Sequence, residues 1–160
     1  MNYYESAFPV FASSDGIAYE IYLSGCRGYC PGCHSPHTWD FNGGTPIQDI
    51  FWKLIGDMQR REKQFDNIVI LGGEPLDNSQ LEIEKMAFAL RAIFPTKKLY
   101  LYTHYDEAAV RKNFSFVLHD FDYIKVGMYD DTQLNWDKKK DPLTNVVLAT
   151  RNQYFIQGRV

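Results

Sequence analysis

The short apolar run Asn67-Ile68-Val69-Ile70-Leu71 is the feature that most constrains the fold of this chain. A continuous run of β-branched and aliphatic residues is typical of a strand that is buried on both faces of a parallel sheet. Parallel strands need crossover connections, which are usually helices, so such strands alternate with helical segments along the chain. The run therefore predicts an α/β protein with a mostly parallel sheet.

The rest of the chain supplies segments that alternate in this way. Further strands are predicted at 17–23, 98–103 and 122–127, because β-forming residues cluster there. Less regular closing strands are predicted at 145–149 and 154–156. So few strands favour an open, partial (β/α) barrel over a complete one.

Helical segments are predicted between these strands. Thr45-Pro46-Ile47-Gln48 combines an N-cap threonine, a proline at the first helical position and a glutamine three residues after the cap, which indicates a helix start. A second helix should begin near 77–79 and stop before Pro95, and a brief third helix is expected at 106–111. Residues 1–13 are read as a short lead, and 130–141 as a loop.

Length and composition limit the classes of function. A chain of 160 residues with 45% hydrophobic residues fits one folded domain, spanning 1–160. The net charge of −3 gives no reason to expect nucleic acid or a membrane as partner, and no apolar stretch is long enough for a membrane span. Residues 1–13 have no basic region followed by an apolar run, so a cytoplasmic location is expected.

All three cysteines lie in one eight-residue stretch, as Cys26, Cys30 and Cys33, with the spacing C-x3-C-x2-C. Thiolates crowded beside glycines and a proline indicate ligands to one soft metal centre, in a reducing compartment. A structural zinc site completed by His34 or His37 is one interpretation. The other is an iron–sulfur cluster, which protein usually holds with four cysteines, so that three would leave one iron open to substrate.

Two further loops are expected near the cysteine loop. In parallel α/β sheets, ligands bind at the carboxyl ends of the strands. Gly72-Gly73-Glu74-Pro75 follows the second predicted strand and Thr103-His104 follows the third. We therefore expect three ligand-binding segments on one rim of the sheet.

These residues resemble the radical S-adenosylmethionine superfamily and, within it, the activating enzymes of anaerobic (class III) ribonucleotide reductases. The resemblance rests on the cysteine spacing together with the Gly-Gly-Glu-Pro loop, and it extends over most of the chain. The matching segments are Ser24-Gly25-Cys26, Cys30-Pro31-Gly32-Cys33, Thr38-Trp39, Gly72-Gly73-Glu74-Pro75-Leu76, Tyr102-Thr103 and Arg151-Asn152-Gln153.

The resemblance implies a partial barrel of the radical S-adenosylmethionine type and two cofactors. A [4Fe-4S] cluster would be held by Cys26, Cys30 and Cys33, which are also the catalytic residues. S-adenosyl-L-methionine would chelate the open iron through its amino and carboxylate groups, and one electron from the reduced cluster would cleave it to methionine and a 5′-deoxyadenosyl radical. The implied residues that contact S-adenosylmethionine are Gly32, Cys33, His34, Gly72, Gly73, Glu74 and Thr103.

The resemblance also implies partners. The substrate would be the large subunit of an anaerobic ribonucleoside-triphosphate reductase, on which a glycyl radical is formed, and the reductant would be a protein such as flavodoxin or ferredoxin. Two alternatives stay open: another small radical S-adenosylmethionine enzyme, acting on a different glycyl-radical protein or a small molecule, and a zinc-binding interaction domain.

Several of these residues also have a purely structural explanation. Glycines let backbone carbonyls approach a bound ammonium group, yet a strand-to-helix turn alone accounts for one of them. His34 is equally consistent with a surface loop histidine, and neither His104 nor His119 is assigned a role. His104 stands where the family pattern has glycine, and Ser35 where asparagine is usual.

Overall fold

The computed structural model describes residues 1–159, which form seven strands and four α-helices. The strands are β1 (Asn2–Val10), β2 (Ala18–Leu23), β3 (Thr45–Pro46), β4 (Asn67–Gly72), β5 (Lys98–Tyr102), β6 (Tyr123–Val126) and β7 (Tyr154–Gln157). The helices are α1 (Ile47–Arg60), α2 (Gln80–Ile93), α3 (Glu107–Asn113) and α4 (Val117–Asp120). Short 3-10 turns lie at Pro36–Thr38, Glu62–Gln64, Pro75–Asp77 and Asp131–Gln133.

All seven strands belong to one sheet, in the order β3-β1-β2-β4-β5-β6-β7. The four central strands, β2, β4, β5 and β6, pair in parallel. The outer strands β1, β3 and β7 pair antiparallel. The α/β class with a parallel centre is confirmed, and the whole sheet is mixed. Because the central strands run in one direction, their carboxyl ends and the loops that follow them meet at one rim.

The prediction that the N-terminal segment is a short lead is wrong. Asn2–Val10 is a strand, with Tyr3 opposite Leu23 and Ser6 opposite Ile21 on β2. Most of its side chains are half-buried on both faces, so no clean alternation of apolar and polar residues marks it in the sequence.

The helix start predicted at Thr45 is also wrong in detail. Thr45 and Pro46 form β3 and pair with Tyr3 and Asn2 of β1. Pro46 has an extended backbone with ψ 132°, and α1 begins at Ile47 without a side-chain cap. The Ile47 N–H donates to the Met1 carbonyl at 3.0 Å, so the N-terminal segment takes the place of the expected capping box.

Of the two predicted closing strands, only one forms. Residues 154–156 lie in β7, whereas residues 145–149 form a loop with an isolated bridge between Val147 and Lys140. Asn145 adopts a left-handed conformation with φ 60°, which interrupts an extended segment. The apolar alternation there arises because Val146 and Leu148 pack onto the sheet.

The two faces of the sheet are covered differently. One face packs against α1 and α2 and forms the main core, which includes Ile21, Ile70 and Leu101. Each fully buried side chain of this kind stabilises the fold by about 1.5–3 kcal/mol. The other face is partly covered by the loop before β7, through Val146 and Leu148. Among residues 1–159, no helix has both the length and the apolarity needed to cross a membrane.

Candidate functional site

A cavity of about 320 Å³ opens at the carboxyl ends of the central strands, on the sheet face opposite the main core. All three predicted loops reach it. Its lining includes Cys26, Cys30, Cys33, His34, Gly72, Gly73, Glu74 and Thr103. The expectation that three separate loops share one rim is confirmed. Of the residues predicted to contact a cofactor, Gly32 is the one that does not line the cavity; its φ is +74°, and it packs near the Tyr129 ring.

The cysteine loop presents free thiols to the cavity. Cys26 and Cys30 are buried, Cys33 is half-buried, and none forms a disulfide. The Gly28 N–H donates to the Cys26 sulfur at 3.3 Å, and the Ser35 N–H donates to the Cys33 sulfur at 3.4 Å. Main-chain donors aimed at sulfur stabilise thiolates, which are the form that binds metal.

Burial acts against this effect in the metal-free protein. It raises the pKa of both the Cys26 and the Cys30 thiol. Lys125 lowers the Cys30 pKa again, although by less than burial raises it. The thiols therefore stay largely protonated until a metal displaces their protons. Within residues 1–159, no group of three or more His, Cys, Asp and Glu side chains is arranged around a single-ion site.

The segment Thr38-Trp39 holds the cysteine loop in place. The Gly25 N–H donates to the Thr38 carbonyl at 2.7 Å, and the Cys26 N–H donates to the Trp39 carbonyl at 3.1 Å. Thr38 is fully buried, and its hydroxyl donates to the Ser35 carbonyl at 2.7 Å. Both residues therefore have a structural role, and Trp39 also lines the cavity.

The two glycines after β4 are required by the neighbouring loop. Gly72 has φ +121°, and a Cβ on Gly73 would lie 2.4 Å from the Gly25 carbonyl oxygen. This close approach allows the Gly73 N–H to donate to the Leu23 carbonyl at 2.8 Å and the Glu74 N–H to donate to the Gly25 carbonyl at 2.7 Å. The Gly-Gly pair thus docks the Glu74 loop onto the cysteine loop, a role that the sequence analysis did not assign to it.

Glu74 connects the second loop to the third. Its carboxylate is 1% exposed and accepts hydrogen bonds from the main-chain N–H of Leu76 at 3.0 Å and of His104 at 2.6 Å. Burial raises the pKa of Glu74 to about 7, against the lowering effect of these donors. Thr103 is buried at the end of β5, and its N–H donates to the Lys125 carbonyl at 2.9 Å.

Two cavity residues, His104 and Lys125, received no role in the sequence analysis. His104 Nδ1 lies 3.8 Å from the Cys26 sulfur and 3.3 Å from Glu74 Oε2. Lys125 is 7% exposed, and its ammonium group donates to the Gly127 carbonyl at 3.1 Å. Burial lowers the Lys125 pKa to about 8, while the charges of Glu74 and Cys30 raise it. The sequence signal that could have identified Lys125 is its position as a charged residue within the strand Tyr123–Val126.

The remaining histidines are not part of one ligand set. His34 lines the cavity, and its ring lies 4.9 Å from the Tyr129 ring, centroid to centroid. His37 is not in the cavity lining, and its Nε2 lies 3.1 Å from Glu5 Oε1. His119 is exposed at the end of α4.

These residues fit an iron–sulfur cluster. Three thiols face one cavity, two of them already accept main-chain N–H donors, and Lys125 favours the thiolate of a third. Thiolate ligands, hydrogen bonds to sulfur and partial burial are the features by which proteins hold such clusters. The donor set supplies three ligands, so a cluster of four irons would keep one iron open to a second ligand in the same cavity.

Comparisons with known proteins agree with this chemistry. Residues 13–148 match the family described as a 4Fe-4S single cluster domain. The anaerobic ribonucleoside-triphosphate reductase-activating protein of Escherichia coli K12 is 31% identical over 108 residues, which cover 66% of this chain and 70% of that protein. The protein of the same name from Vibrio cholerae is 24% identical over 136 residues, covering 83% and 87%.

A viral relative shows the same similarity. The anaerobic ribonucleoside-triphosphate reductase-activating protein of Enterobacteria phage T4 is 27% identical over 105 residues, which cover 64% of this chain and 66% of that protein. The family match spans the cysteine loop, the Gly-Gly-Glu-Pro loop and the strand that carries Lys125. The chain belongs to the 4Fe-4S single cluster domain family and, within it, to the anaerobic ribonucleoside-triphosphate reductase-activating proteins.

Proposed function

We propose that the protein holds a [4Fe-4S] cluster on Cys26, Cys30 and Cys33, binds S-adenosylmethionine in the same cavity, and generates a glycyl radical on an anaerobic ribonucleoside-triphosphate reductase. The observation that carries this proposal is the set of three free thiols, with no fourth cysteine in the chain, on one cavity beside the Gly72–Glu74 loop. When bound, the reduced cluster supplies the electron that cleaves S-adenosylmethionine to methionine and a 5′-deoxyadenosyl radical.

The protein's own residues bind and orient the reactants. The main-chain N–H groups of Gly28 and Ser35 stabilise the thiolates of Cys26 and Cys33, and Lys125 does so for Cys30 by its charge. Glu74 ties the second and third loops together, which fixes the part of the cavity wall that adjoins the cysteine loop. In its ionised form it also places a negative charge beside the space where the ammonium group of S-adenosylmethionine would lie.

The partners follow from the same proposal. The substrate is the large subunit of the reductase, and the electron comes from a protein such as flavodoxin or ferredoxin. A cytoplasmic location is consistent with three unpaired cysteines, which need a reducing compartment. A cavity at the carboxyl ends of four parallel strands supports a partial (β/α) barrel of the radical S-adenosylmethionine type.

The direct test is anaerobic reconstitution followed by incubation with S-adenosylmethionine, dithionite and the large subunit of an anaerobic reductase. We expect about four irons per chain, the content of one [4Fe-4S] cluster, and a glycyl doublet in the EPR spectrum of the reductase. Colourless protein with zinc instead of iron would refute the proposal. Formation of 5′-deoxyadenosine without a doublet on any anaerobic reductase would indicate that the substrate is another glycyl-radical protein or a small molecule.

The cofactor contacts have a separate test with a matched control. His34 lines the cavity, whereas His37 lies next to Glu5 outside its lining. We expect His34→Ala to weaken the affinity for S-adenosylmethionine, measured by anaerobic equilibrium dialysis on cluster-loaded protein, and His37→Ala to leave it unchanged. Equal affinities in both variants would remove His34 from the set of contacts, which otherwise comprises Gly32, Cys33, Gly72, Gly73, Glu74 and Thr103.

A further inference from the structure

His104 lies directly against the loop that carries the cysteines. Its ring occupies the space beside Gly28, where a Cβ would lie 2.7 Å from His104 Nδ1. The side chain is 15% exposed, and its ring also packs on Tyr105 at 4.5 Å between centroids. The missing side chain at position 28 therefore admits the imidazole to the immediate neighbourhood of Cys26.

The imidazole has a defined direction toward the Cys26 sulfur. Nδ1 and Sγ are 3.8 Å apart with hydrogen-bond geometry, a distance suited to the large sulfur atom. The Gly28 N–H donates to the same sulfur at 3.3 Å. A cysteine that binds iron is a thiolate and has no proton to donate. The contact between Nδ1 and Sγ therefore requires that Nδ1 carries the proton and donates it.

Glu74 holds the His104 imidazole in this orientation. Its Oε2 atom accepts the His104 main-chain N–H at 2.6 Å and lies 3.3 Å from Nδ1. A carboxylate next to Nδ1 favours the tautomer in which Nδ1 is protonated. The same proton is then available to the Cys26 sulfur. Glu74 Oε2 and the Cys26 sulfur both lie near Nδ1, and of these two contacts the one to sulfur has hydrogen-bond geometry.

The charges around the Cys26 sulfur make a hydrogen-bond donor at this position important. Cys26 is buried, and both Glu74 and Asp77 disfavour negative charge on its sulfur. Lys125, a buried cation in the cavity lining, acts on Cys30 instead. One-electron reduction adds negative charge that is shared between iron and sulfur, so carboxylates near Cys26 make reduction harder. A hydrogen bond to that sulfur stabilises the reduced form and makes reduction easier.

We infer that His104 is a positioning residue that raises the reduction potential of the cluster by donating a hydrogen bond from Nδ1 to the Cys26 thiolate. The inference rests on the proposed cluster ligands. Reduction transfers one electron from the external reductant to the cluster, and the proton stays on Nδ1 throughout.

The test is an anaerobic redox titration of the cluster, followed by EPR, in three variants of the full chain. His104→Leu removes the donor and keeps similar bulk, whereas His104→Asn keeps an N–H close to the position of Nδ1. His119→Leu is the matched control, since His119 is exposed in α4 and lines a different cavity from the one that holds the cysteines. The main-chain N–H of residue 104 that Glu74 accepts remains in every variant.

We expect the midpoint potential to become more negative in His104→Leu, to stay near that of the unaltered protein in His104→Asn, and to be unchanged in His119→Leu. In the unaltered protein, electron–nuclear double resonance should show an exchangeable proton coupled to the cluster that is missing from His104→Leu. Equal midpoint potentials in His104→Leu and the unaltered protein would overturn the inference. A shift of the potential in His104→Asn as large as that in His104→Leu would also overturn it.

Three other outcomes also have a defined consequence. If His104→Leu does not retain iron, His104→Gly provides the donor-free comparison with the residue that the family pattern has at this position. An unchanged potential with weakened binding of S-adenosylmethionine would make His104 a cofactor contact and would overturn the redox role. Failure of the unaltered protein to bind iron would instead refute the proposed function, so the two failures are distinguishable.

Discussion

Substitution of Gly73 by alanine tests whether the Gly-Gly pair docks two loops. A Cβ at this position would lie 2.4 Å from the Gly25 oxygen, 2.8 Å from the Gly25 carbonyl carbon and 2.9 Å from the Thr38 oxygen. All three are main-chain atoms, so no side-chain rotation can relieve the overlap. The loops must separate, which strains the hydrogen bond from the Glu74 N–H to the Gly25 carbonyl.

The expected cost follows from these contacts. Overpacking of a tight site costs about 1–3 kcal/mol, and a hydrogen bond that is lost contributes about 1 kcal/mol. We therefore expect Gly73→Ala to lower the free energy of unfolding by about 2–4 kcal/mol. Because Gly25 precedes Cys26, separation of the loops should also reduce the iron retained after reconstitution.

Gly56→Ala is the matched control. Gly56 lies inside α1, and a Cβ there would have only a side-chain atom of Arg60 in reach, at 3.7 Å. Alanine in a helix interior is more stable than glycine by about 0.5–1 kcal/mol. Urea unfolding of the reduced, metal-free protein, followed by far-UV circular dichroism, measures both variants. A Gly73→Ala value within about 0.5 kcal/mol of the unaltered protein, the range of neutral substitutions, would refute the docking role.

Three further predictions concern the charged and thiol groups of the cavity. Cys30→Ser should abolish cleavage of S-adenosylmethionine and lower the bound iron, as should the same change at Cys26 or Cys33; full activity in any of them would exclude that residue as a ligand. Because burial raises the pKa of Glu74 from 4.5 to about 7, the folded metal-free protein holds a proton there that the unfolded chain releases. This contribution to stability is complete below pH 4.5 and is lost as the pH rises through 7, so the unaltered protein should lose more stability than Glu74→Gln between about pH 5 and about pH 8. Lys125→Met should raise the Cys30 pKa and slow its alkylation by iodoacetamide at neutral pH, measured in a background where Cys26 and Cys33 are serine.

Each of these predictions has an outcome that contradicts it. Parallel pH dependence of unfolding in Glu74→Gln and the unaltered protein would show that Glu74 titrates normally in the folded state. An unchanged alkylation rate in Lys125→Met would show that the charge at position 125 does not reach Cys30. Lys98→Met is the control for the alkylation experiment, since Lys98 pairs with Asp15 at 2.9 Å and lines a different cavity.

The sequence alone determined the architecture at the centre of the sheet and the location of the site. The run from Asn67 to Leu71 requires a strand buried on both faces, and strands of this kind run in parallel. Parallel strands bring their carboxyl ends to one edge, so the loops after β2, β4 and β5 had to share a rim wherever the helices lie. Three cysteines in one loop then predicted a metal centre at that rim.

The edges of the sheet depend on tertiary contacts that the sequence pattern does not show. Thr45 and Pro46 have a strong local signal for a helix start, yet pairing with Tyr3 and Asn2 holds them in a strand. The alternation at 145–149 is genuine, but it reflects packing of Val146 and Leu148 onto the sheet rather than strand pairing. In both cases contacts between residues distant along the chain outweigh a local preference.

Tertiary structure also decided what surrounds the cysteines. His104 and Lys125 are 78 and 95 positions from Cys26 and Cys30, and nothing local in the sequence connects them to a thiol. They face the cysteine loop because β5 and β6 pair in parallel with the strands beside it, with Tyr102 opposite Lys125. The charge and hydrogen bonding around a metal centre depend on such distances in space. Sequence spacing therefore predicted the ligands, and the packed sheet determined the electrostatic environment of these thiols.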